Sequence, residues 1–221
     1  MKTLFIPVKS KSKLNEKKIL DICKKLPENI AIAYSIQYKE IAHQIKNLLK
    51  QKNITSFVQV LGCSSPKPRK LEIFGALKNQ RFLLFPKNTE AILLITDGKF
   101  HAVSLALESN LPVYILCNNQ LEKISDEYIK SLKMKKKASY LKFLNSDKIG
   151  ILISTKPGQE NLKKALEFKK HAKKKSYLFI CNNINKSEFE NFPEIQCWIN
   201  TACPRLDFDL KVINIGDLKN G

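Results

Sequence analysis

Two of the six cysteines in this chain lie in loops, where a thiol is able to bind a metal or to react, rather than in apolar segments. Cys203 lies in the stretch NTACPR, directly after the short apolar run CWI, and Cys63 lies in VLGCSSP, which continues the apolar run SFVQV. A thiolate in such a loop can bind a soft metal or act as a nucleophile, whereas a thiol inside an apolar element packs as a small hydrophobic group. We therefore expect a ligand or a reactive thiolate at Cys63 and at Cys203.

The other four cysteines have surroundings that are typical of packed, unreactive thiols. Cys23 lies on the apolar stripe of a predicted helix, Cys117 and Cys181 end apolar runs, and Cys197 opens a run beside Trp198. No two cysteines form a CxxC pair, which argues against a zinc knuckle or a thioredoxin-like site. A reducing cytosol would also disfavour disulfides. The interpretation for these four is a small buried hydrophobic side chain.

Four stretches rich in glycine, proline and small hydroxyl residues follow predicted strands. They are LGCSSP, TDGKFH, STKPGQ and NTACPR. Glycine and proline let the backbone turn tightly and approach a ligand, and ligands of open α/β sheets gather beyond the carboxyl ends of the strands. These four loops are therefore the candidate binding segments, and Asp97 is expected to cap the helix that begins near His101.

The elements that must position these loops alternate between strands and helices. Continuous apolar runs such as NIAIAYS, AILLIT and KIGILIST indicate buried strands, and the intervening stretches YKEIAHQIKNLLKQK and ENLKKALEFKKHAKKK have the apolar spacing of helices. A lysine-rich helix is predicted over residues 126–144, after which the pattern restarts near residue 146. The sequence therefore predicts an α/β fold of two small three-layer, Rossmann-like units with mostly parallel sheets, over residues 1–145 and 146–221.

Charge and composition limit the class of partner. The chain of 221 residues carries a formal charge of +19, yet only three of its 39 basic residues are arginine. Proteins that bind phosphates and base edges favour the planar fork of arginine, so nucleic acid is not the expected partner. No apolar run reaches about 18 residues, and the first residues lack the order of a secretory signal. The sequence is interpreted as that of a cytoplasmic protein without a membrane span.

The four loops occur in the same order as in a known family. VLGCSSP, TDGKFH, STKPGQ and NTACPR together resemble the diphthamide-synthesis enzymes, the 2-(3-amino-3-carboxypropyl)histidine synthases of archaea and their eukaryotic relatives. Each motif alone is weak, and their shared order at strand ends makes the match specific. The stretch AYSIQYKEIAHQIKNLL is also similar to the strand and helix that open the family's middle domain.

The resemblance implies a three-domain α/β enzyme in which each domain gives one cysteine to a single [4Fe–4S] cluster. Cys63 matches the ligand of the middle domain, and Cys203 matches the ligand of the last domain. The remaining iron site would meet S-adenosylmethionine, whose reductive cleavage gives a 3-amino-3-carboxypropyl radical that adds to a histidine of translation elongation factor 2. The implied activity is that transferase, the first step of diphthamide biosynthesis. The cofactors carry the radical chemistry, and no side chain is assigned as catalytic.

Four loop residues are the candidates for binding S-adenosylmethionine. Lys156, Gly158 and Gln159 open a helix after a strand, and such an N-terminus attracts anionic groups such as a carboxylate. Arg205 follows Pro204 and can clamp a carboxylate with two hydrogen bonds. The alternative for the first three residues is an ordinary strand-to-helix turn.

Family members have a further domain before the region matched here, and that domain carries the first cluster cysteine. The stretch MKTLFIPVK is similar to the closing strand of that domain, and LDICKKL around Cys23 does not resemble its ligand loop. The expectation is a short form that acts on elongation factor 2 together with a second chain carrying the first domain, or with a homologous subunit. The alternative is a non-catalytic accessory or scaffold subunit that binds a complete homologue or elongation factor 2.

Overall fold

The chain divides into two compact units, residues 2–129 and residues 130–221. The computed structural model describes residues 8–11, 14–50, 52–60, 85–204, 206 and 210–219. The boundary between the units lies inside the long helix α4 (Asp126–Leu144), so most of this helix belongs to the second unit. The assignment of the two units to the middle and last domains of a three-domain enzyme, with a boundary after residue 145, stays a prediction.

The first unit contains a sheet of five strands within the residues that the structure describes. The strands are β1 (Asn29–Ser35), β2 (Asn53–Val60), β3 (Ala91–Ile95), β4 (Val113–Cys117) and β5 (Gln120–Lys123). Their order is β2-β1-β3-β4-β5, and all neighbours are parallel except β4 and β5. The described α-helices that lie wholly in this unit are α1 (Glu16–Cys23), α2 (Lys39–Leu48) and α3 (Phe100–Ser109), and a 3-10 helix covers Ile36–Tyr38 after β1.

The core of the first unit explains why its strands are continuous apolar runs. All five residues of β3 are buried, as are six of the seven residues of β1, because a parallel sheet is covered on both faces. On one face, Ile30 and Ile32 of β1 pack with Ile41 and Ile45 of α2. The helical spacing of these last two side chains follows from the 3.6-residue turn, which places residues four apart on one side of the helix.

The second unit contains a sheet of four parallel strands in its described part. The strands are β6 (Lys148–Ser154), β7 (Lys175–Cys181), β8 (Cys197–Asn200) and β9 (Val212–Asn214), in the order β7-β6-β8-β9. Helix α5 (Leu162–His171) joins β6 to β7, and short 3-10 helices cover Lys186–Asn191 and Asp217–Lys219. Ile149, Ile151 and Ile153 of β6 pack on α5, and Leu152 packs on the opposite face with Trp198.

The first four strands of both units follow the same order: second, first, third, fourth. In this arrangement the connections leave the first and third strands in opposite directions, and a crevice opens at the carboxyl ends of those two strands. The crevice of the first unit lies between β1 and β3, and that of the second unit lies between β6 and β8. This repeated topology is not visible as a repeat in the sequence.

The predicted α/β class with mostly parallel sheets is confirmed, and α4 begins and ends at the predicted residues. The antiparallel strand β5 was not predicted from the sequence. It follows a two-residue turn at Asn118 and Asn119, whose φ angles of 47° and 59° suit a tight hairpin. The predicted strands TLFIPV and RFLLF lie almost wholly outside the described residues. None of the described helices combines the length and the hydrophobicity that a membrane span requires.

Gly150 in the middle of β6 provides a test of the packing in the second unit. A Cβ at this position would lie 2.5 Å from two ring carbons of Trp198, and that ring is held by Phe189 stacked on it and by Phe179 at its edge. We expect Gly150→Ala to lower the free energy of unfolding by about 1–3 kcal/mol, measured by urea denaturation, because the ring has no room to move. The control is Gly216→Ala, whose Cβ meets nothing within 4 Å and which should change stability by less than about 0.5 kcal/mol. Equal effects of the two variants would contradict this account.

Candidate functional site

The candidate site lies at the carboxyl edge of the second sheet, where β6 and β8 end side by side. Leu152 of β6 pairs with Asn200 of β8, so the loop after Ser154 and the loop after Asn200 leave the sheet as neighbours. These loops carry the stretches STKPGQ and NTACPR. Parallel strands end at a common edge, which is why two stretches far apart in the chain meet there.

The loop after β6 is held by hydrogen bonds of Ser154, the last residue of the strand, and by a turn within the loop. The Ser154 hydroxyl is buried, donates to the carbonyl of Asn182 at 3.2 Å and accepts the backbone N–H of Lys156 at 3.2 Å. The Gln159 N–H donates to the Lys156 carbonyl at 3.0 Å and closes a turn in which Gly158 has φ of 77°. A residue with a Cβ is strained at this angle, so the glycine is required by the turn. Lys156 and Gln159 are partly exposed on it.

Asn161 connects the two loops. Its Nδ2 donates to the carbonyl of Gln159 at 3.2 Å and to the carbonyl of Thr201 at 2.8 Å. Thr201 is fixed in turn, because its N–H and its hydroxyl both donate to the carbonyl of Leu152, at 3.1 and 2.7 Å. The structure therefore brings the Lys156 loop and the Cys203 loop together through one side-chain amide.

No pattern in the sequence indicates this role of Asn161. An asparagine before a helix usually caps it, yet its side chain makes no capping bond to α5. Its partner on Thr201 is 40 residues away in the chain, so only the tertiary structure reveals the connection.

Cys203, the first predicted metal ligand, is partly exposed in its loop. Its carbonyl accepts the N–H of Leu206 at 3.2 Å and the Nδ2 of Asn200 at 2.7 Å, which fixes the backbone that carries the thiol. The second predicted ligand, Cys63, follows the end of β2 and lies outside the described residues, as does Arg205. Among the described residues, no three His, Cys, Asp or Glu side chains are close enough together to hold a metal ion.

The remaining cysteines fall into two groups. Cys23 and Cys197 are buried, at 1 % and 3 % exposure, which confirms their interpretation as core residues. Burial raises the pKa of the Cys23 thiol to about 11, and burial also raises the pKa of Cys197 despite the nearby Lys142 and Lys174. The interpretation of Cys117 and Cys181 as buried side chains is wrong, because both are partly exposed at strand ends. Exposure alone therefore does not distinguish these two cysteines from Cys203.

The crevice of the first unit contains a side-chain contact that differs from the sequence prediction. The prediction that Asp97 caps a helix is wrong: α3 begins at Phe100, the preceding residue is Lys99, and no side chain makes a capping bond there. The Asp97 carboxylate accepts the Nε2–H of Gln37 at 3.2 Å instead. This bond joins the loops that follow β1 and β3, the two strands that border the crevice.

Comparison with known proteins shows the family of the chain. A family model described as "Putative diphthamide synthesis protein" matches residues 1–212. The chain belongs to the diphthamide synthesis family. Among the relatives of this family member are two archaeal proteins named 2-(3-amino-3-carboxypropyl)histidine synthase. The protein from Methanocaldococcus jannaschii is 30% identical over 224 residues, covering 95% of this chain and 57% of its own length. The protein from Pyrococcus horikoshii is 24% identical over 220 residues, covering 94% and 60%.

Solved structures of the diphthamide synthesis family share the fold. The crystal structure of Dph2 from Pyrococcus horikoshii with a 4Fe-4S cluster aligns with a TM-score of 0.65 at 23% identity, covering 92% of this chain and 60% of that one. A second crystal structure of the same Dph2 aligns with a TM-score of 0.68 at 21% identity, covering 96% and 63%. The chain thus spans about three fifths of the length of the Pyrococcus horikoshii protein.

The burial of the cysteines predicts which thiols react. At about pH 8 we expect iodoacetamide to label Cys203 at least tenfold faster than Cys23 and Cys197, because a buried thiol with a raised pKa stays protonated and inaccessible. Mass spectrometry of the labelled peptides measures the rates. The urea-unfolded chain is the control, in which the three cysteines should react at similar rates. Fast labelling of Cys23 in the folded chain would show that the first core is open to reagent.

Proposed function

We propose that this chain is a component of the enzyme that transfers a 3-amino-3-carboxypropyl group from S-adenosylmethionine to a histidine of translation elongation factor 2. One observation carries the proposal: in a chain of the diphthamide synthesis family, the Cys203 loop and the Lys156 loop are tied together by Asn161 at one edge of a sheet. A metal-binding thiolate and a binding loop for an anionic substrate need this kind of proximity.

In this proposal Cys203 and Cys63 are ligands of a [4Fe–4S] cluster. Cys203 suits the role because it is a partly exposed loop residue, whereas Cys23 and Cys197 are buried and burial raises their pKa values. Iron–sulfur clusters are held by thiolates, which form at accessible positions. When bound, the cluster would supply the electron that cleaves S-adenosylmethionine.

The Lys156 loop is proposed to hold the carboxylate of S-adenosylmethionine. Lys156, Gly158 and Gln159 lie in a turn before α5 and do not open that helix as predicted, because α5 begins at Leu162. The left-handed φ of Gly158 lets the backbone of this turn approach a ligand closely. The side chain of Asn161 is engaged with two carbonyls and does not occupy the first turn of α5, whose N–H groups favour an anion. Gln159 and Arg205 complete the proposed binding set.

The full reaction is proposed to need polypeptide beyond these 221 residues. The archaeal relatives are longer, since this chain spans 57% and 60% of their lengths. We propose that a third thiolate comes from such polypeptide, on a second chain or on a homologous subunit. The proposal includes a cytoplasmic location.

The first test is cluster uptake by the whole chain. Incubated anaerobically with ferrous iron and sulfide, alone and with any protein that copurifies with it, the chain is expected to turn brown and to hold iron and sulfide. The double variant Cys63→Ala, Cys203→Ala should retain about tenfold less, because its thiolate ligands are gone. Visible absorption and iron analysis measure the difference.

The matched control is the double variant Cys117→Ala, Cys181→Ala, which removes two other partly exposed thiols and should hold as much iron as the natural chain. A colourless natural chain in both preparations would refute the proposal. If that chain still binds elongation factor 2, and the Cys63 and Cys203 double variant binds equally well, the scaffold alternative is supported.

The second test concerns S-adenosylmethionine. We expect Lys156→Ala to weaken its binding about tenfold, since a charge-assisted hydrogen bond to a carboxylate is worth about 1.5–3 kcal/mol. Equilibrium dialysis with labelled S-adenosylmethionine measures the dissociation constant. Lys169→Ala is the control, because it removes the same charge from the exposed last turn of α5. Equal effects of the two changes would show a general charge effect rather than a site at Lys156.

A further inference from the structure

We propose that Asn200 and Asn214 are positioning residues for the Cys203 thiolate. Together they form what we call the asparagine clamp, the pair of side-chain amides that holds the backbone carbonyls of Cys203 and Pro204. The inference rests on the proposed function, since it concerns the loop that would present the cluster ligand.

Asn200 binds its own loop. It is the last residue of β8 and is 1 % exposed. Its Nδ2 donates to the Cys203 carbonyl at 2.7 Å and to the Oδ1 of Asn214 at 2.7 Å, and its Oδ1 accepts the N–H of Ala202 at 2.9 Å. Both Nδ2 hydrogens and the Oδ1 atom of Asn200 are therefore hydrogen-bonded, to two residues of the loop and to Asn214.

Asn214 extends the clamp from the neighbouring strand. It is the last residue of β9, is 6 % exposed and pairs with Asn200 in the sheet register. Its Nδ2 donates to the Pro204 carbonyl at 2.5 Å while its Oδ1 accepts from Asn200. Two consecutive carbonyls of the loop, those of Cys203 and Pro204, are thus bound by two adjacent strand ends.

The partners of the clamp require both a donor and an acceptor in each of its two side chains. A backbone carbonyl can only accept a hydrogen bond, so Asn200 must donate to Cys203 and Asn214 must donate to Pro204. Asn200 must also donate to the side-chain oxygen of Asn214. An ionised aspartate has the same shape but no donor, and the single hydrogen of a serine hydroxyl could not make the two donor bonds of Asn200. A buried polar pair is tolerated when it is hydrogen-bonded, and a satisfied network of this kind specifies one local conformation.

A fixed backbone at Cys203 matters for a metal ligand. Metal–sulfur distances vary by only about 0.2 Å, so a thiolate on a mobile loop must be ordered each time it binds. Residues that orient ligands without touching the metal typically change metal affinity by about 10–100-fold when they are replaced. The clamp acts on the main chain on both sides of the Cys203–Pro204 peptide bond, which is where such orientation is set.

The test replaces Asn214 in the full chain. Asn214→Asp keeps the shape and removes the donor to Pro204, and Asn214→Ala removes the amide without adding a charge. In both variants we expect faster hydrogen exchange at the N–H groups of Ala202 and Leu206, and iodoacetamide labelling of Cys203 that is several-fold faster. A reconstituted cluster should be lost to a chelator about tenfold faster than from the natural chain.

The control is Ser146→Ala. Ser146 is a buried hydroxyl that donates to the Lys142 carbonyl at 2.6 Å, before the amino end of β6 and thus at the edge opposite the Cys203 loop. It should lower stability without changing the labelling of Cys203. The proposed role of the clamp is refuted if the Asn214 variants show the same hydrogen exchange and the same Cys203 labelling as the natural chain. It is also refuted if hydrogen exchange becomes faster uniformly across the second unit, as it does for a defect in the core.

The hydrogen-exchange and iodoacetamide-labelling measurements need no cluster. They therefore test the role of the asparagine clamp even if the natural chain takes up no iron. A natural chain without a cluster contradicts the proposed function and not the clamp. Should Asn214→Ala fail to fold, the same-shape variant Asn214→Asp carries the test.

Discussion

The carboxyl edge of a parallel sheet presents backbone carbonyls that need hydrogen-bond donors, and in the second unit those donors are short polar side chains. Thr201 donates twice to the carbonyl of Leu152, Asn161 donates to the carbonyls of two loops, and Asn200 donates to the carbonyl of Cys203. An unpaired buried carbonyl costs free energy comparable to a lost hydrogen bond. The same bonds that satisfy the edge therefore fix the loops that carry the candidate site.

The apolar core determines where this edge lies. β6 is buried along almost its whole length, with isoleucines on one face and Leu152 with the aromatic group around Trp198 on the other. A ligand can reach a strand that is packed on both faces only at the ends of that strand, so the binding residues lie in the loops that follow it. The same packing accounts for the difference between Cys197, which is buried inside β8, and Cys203, which is partly exposed after the end of β8.

The two units show how one topology can be kept while the sequence changes. Their first four strands have the same order, yet the loops at their crevices are held differently: by a Gln37–Asp97 bond in the first unit and by asparagines in the second. The shared order depends on apolar runs and crossover handedness, which tolerate many substitutions. The loops depend on individual donors and acceptors, which do not.

The sequence by itself determined the α/β class, the ends of α4, the core positions of Cys23 and Cys197, and the family, because each depends on local periodicity or on an ordered set of short motifs. The strand β5 was missed because its signal is a two-residue turn and a short, mostly exposed strand. The connection through Asn161 and the pairing of Asn200 with Asn214 were decided only by the tertiary structure. Their partners come from other strands and loops, and a hydrogen bond between residues distant in the chain leaves no period or spacing in the sequence to detect.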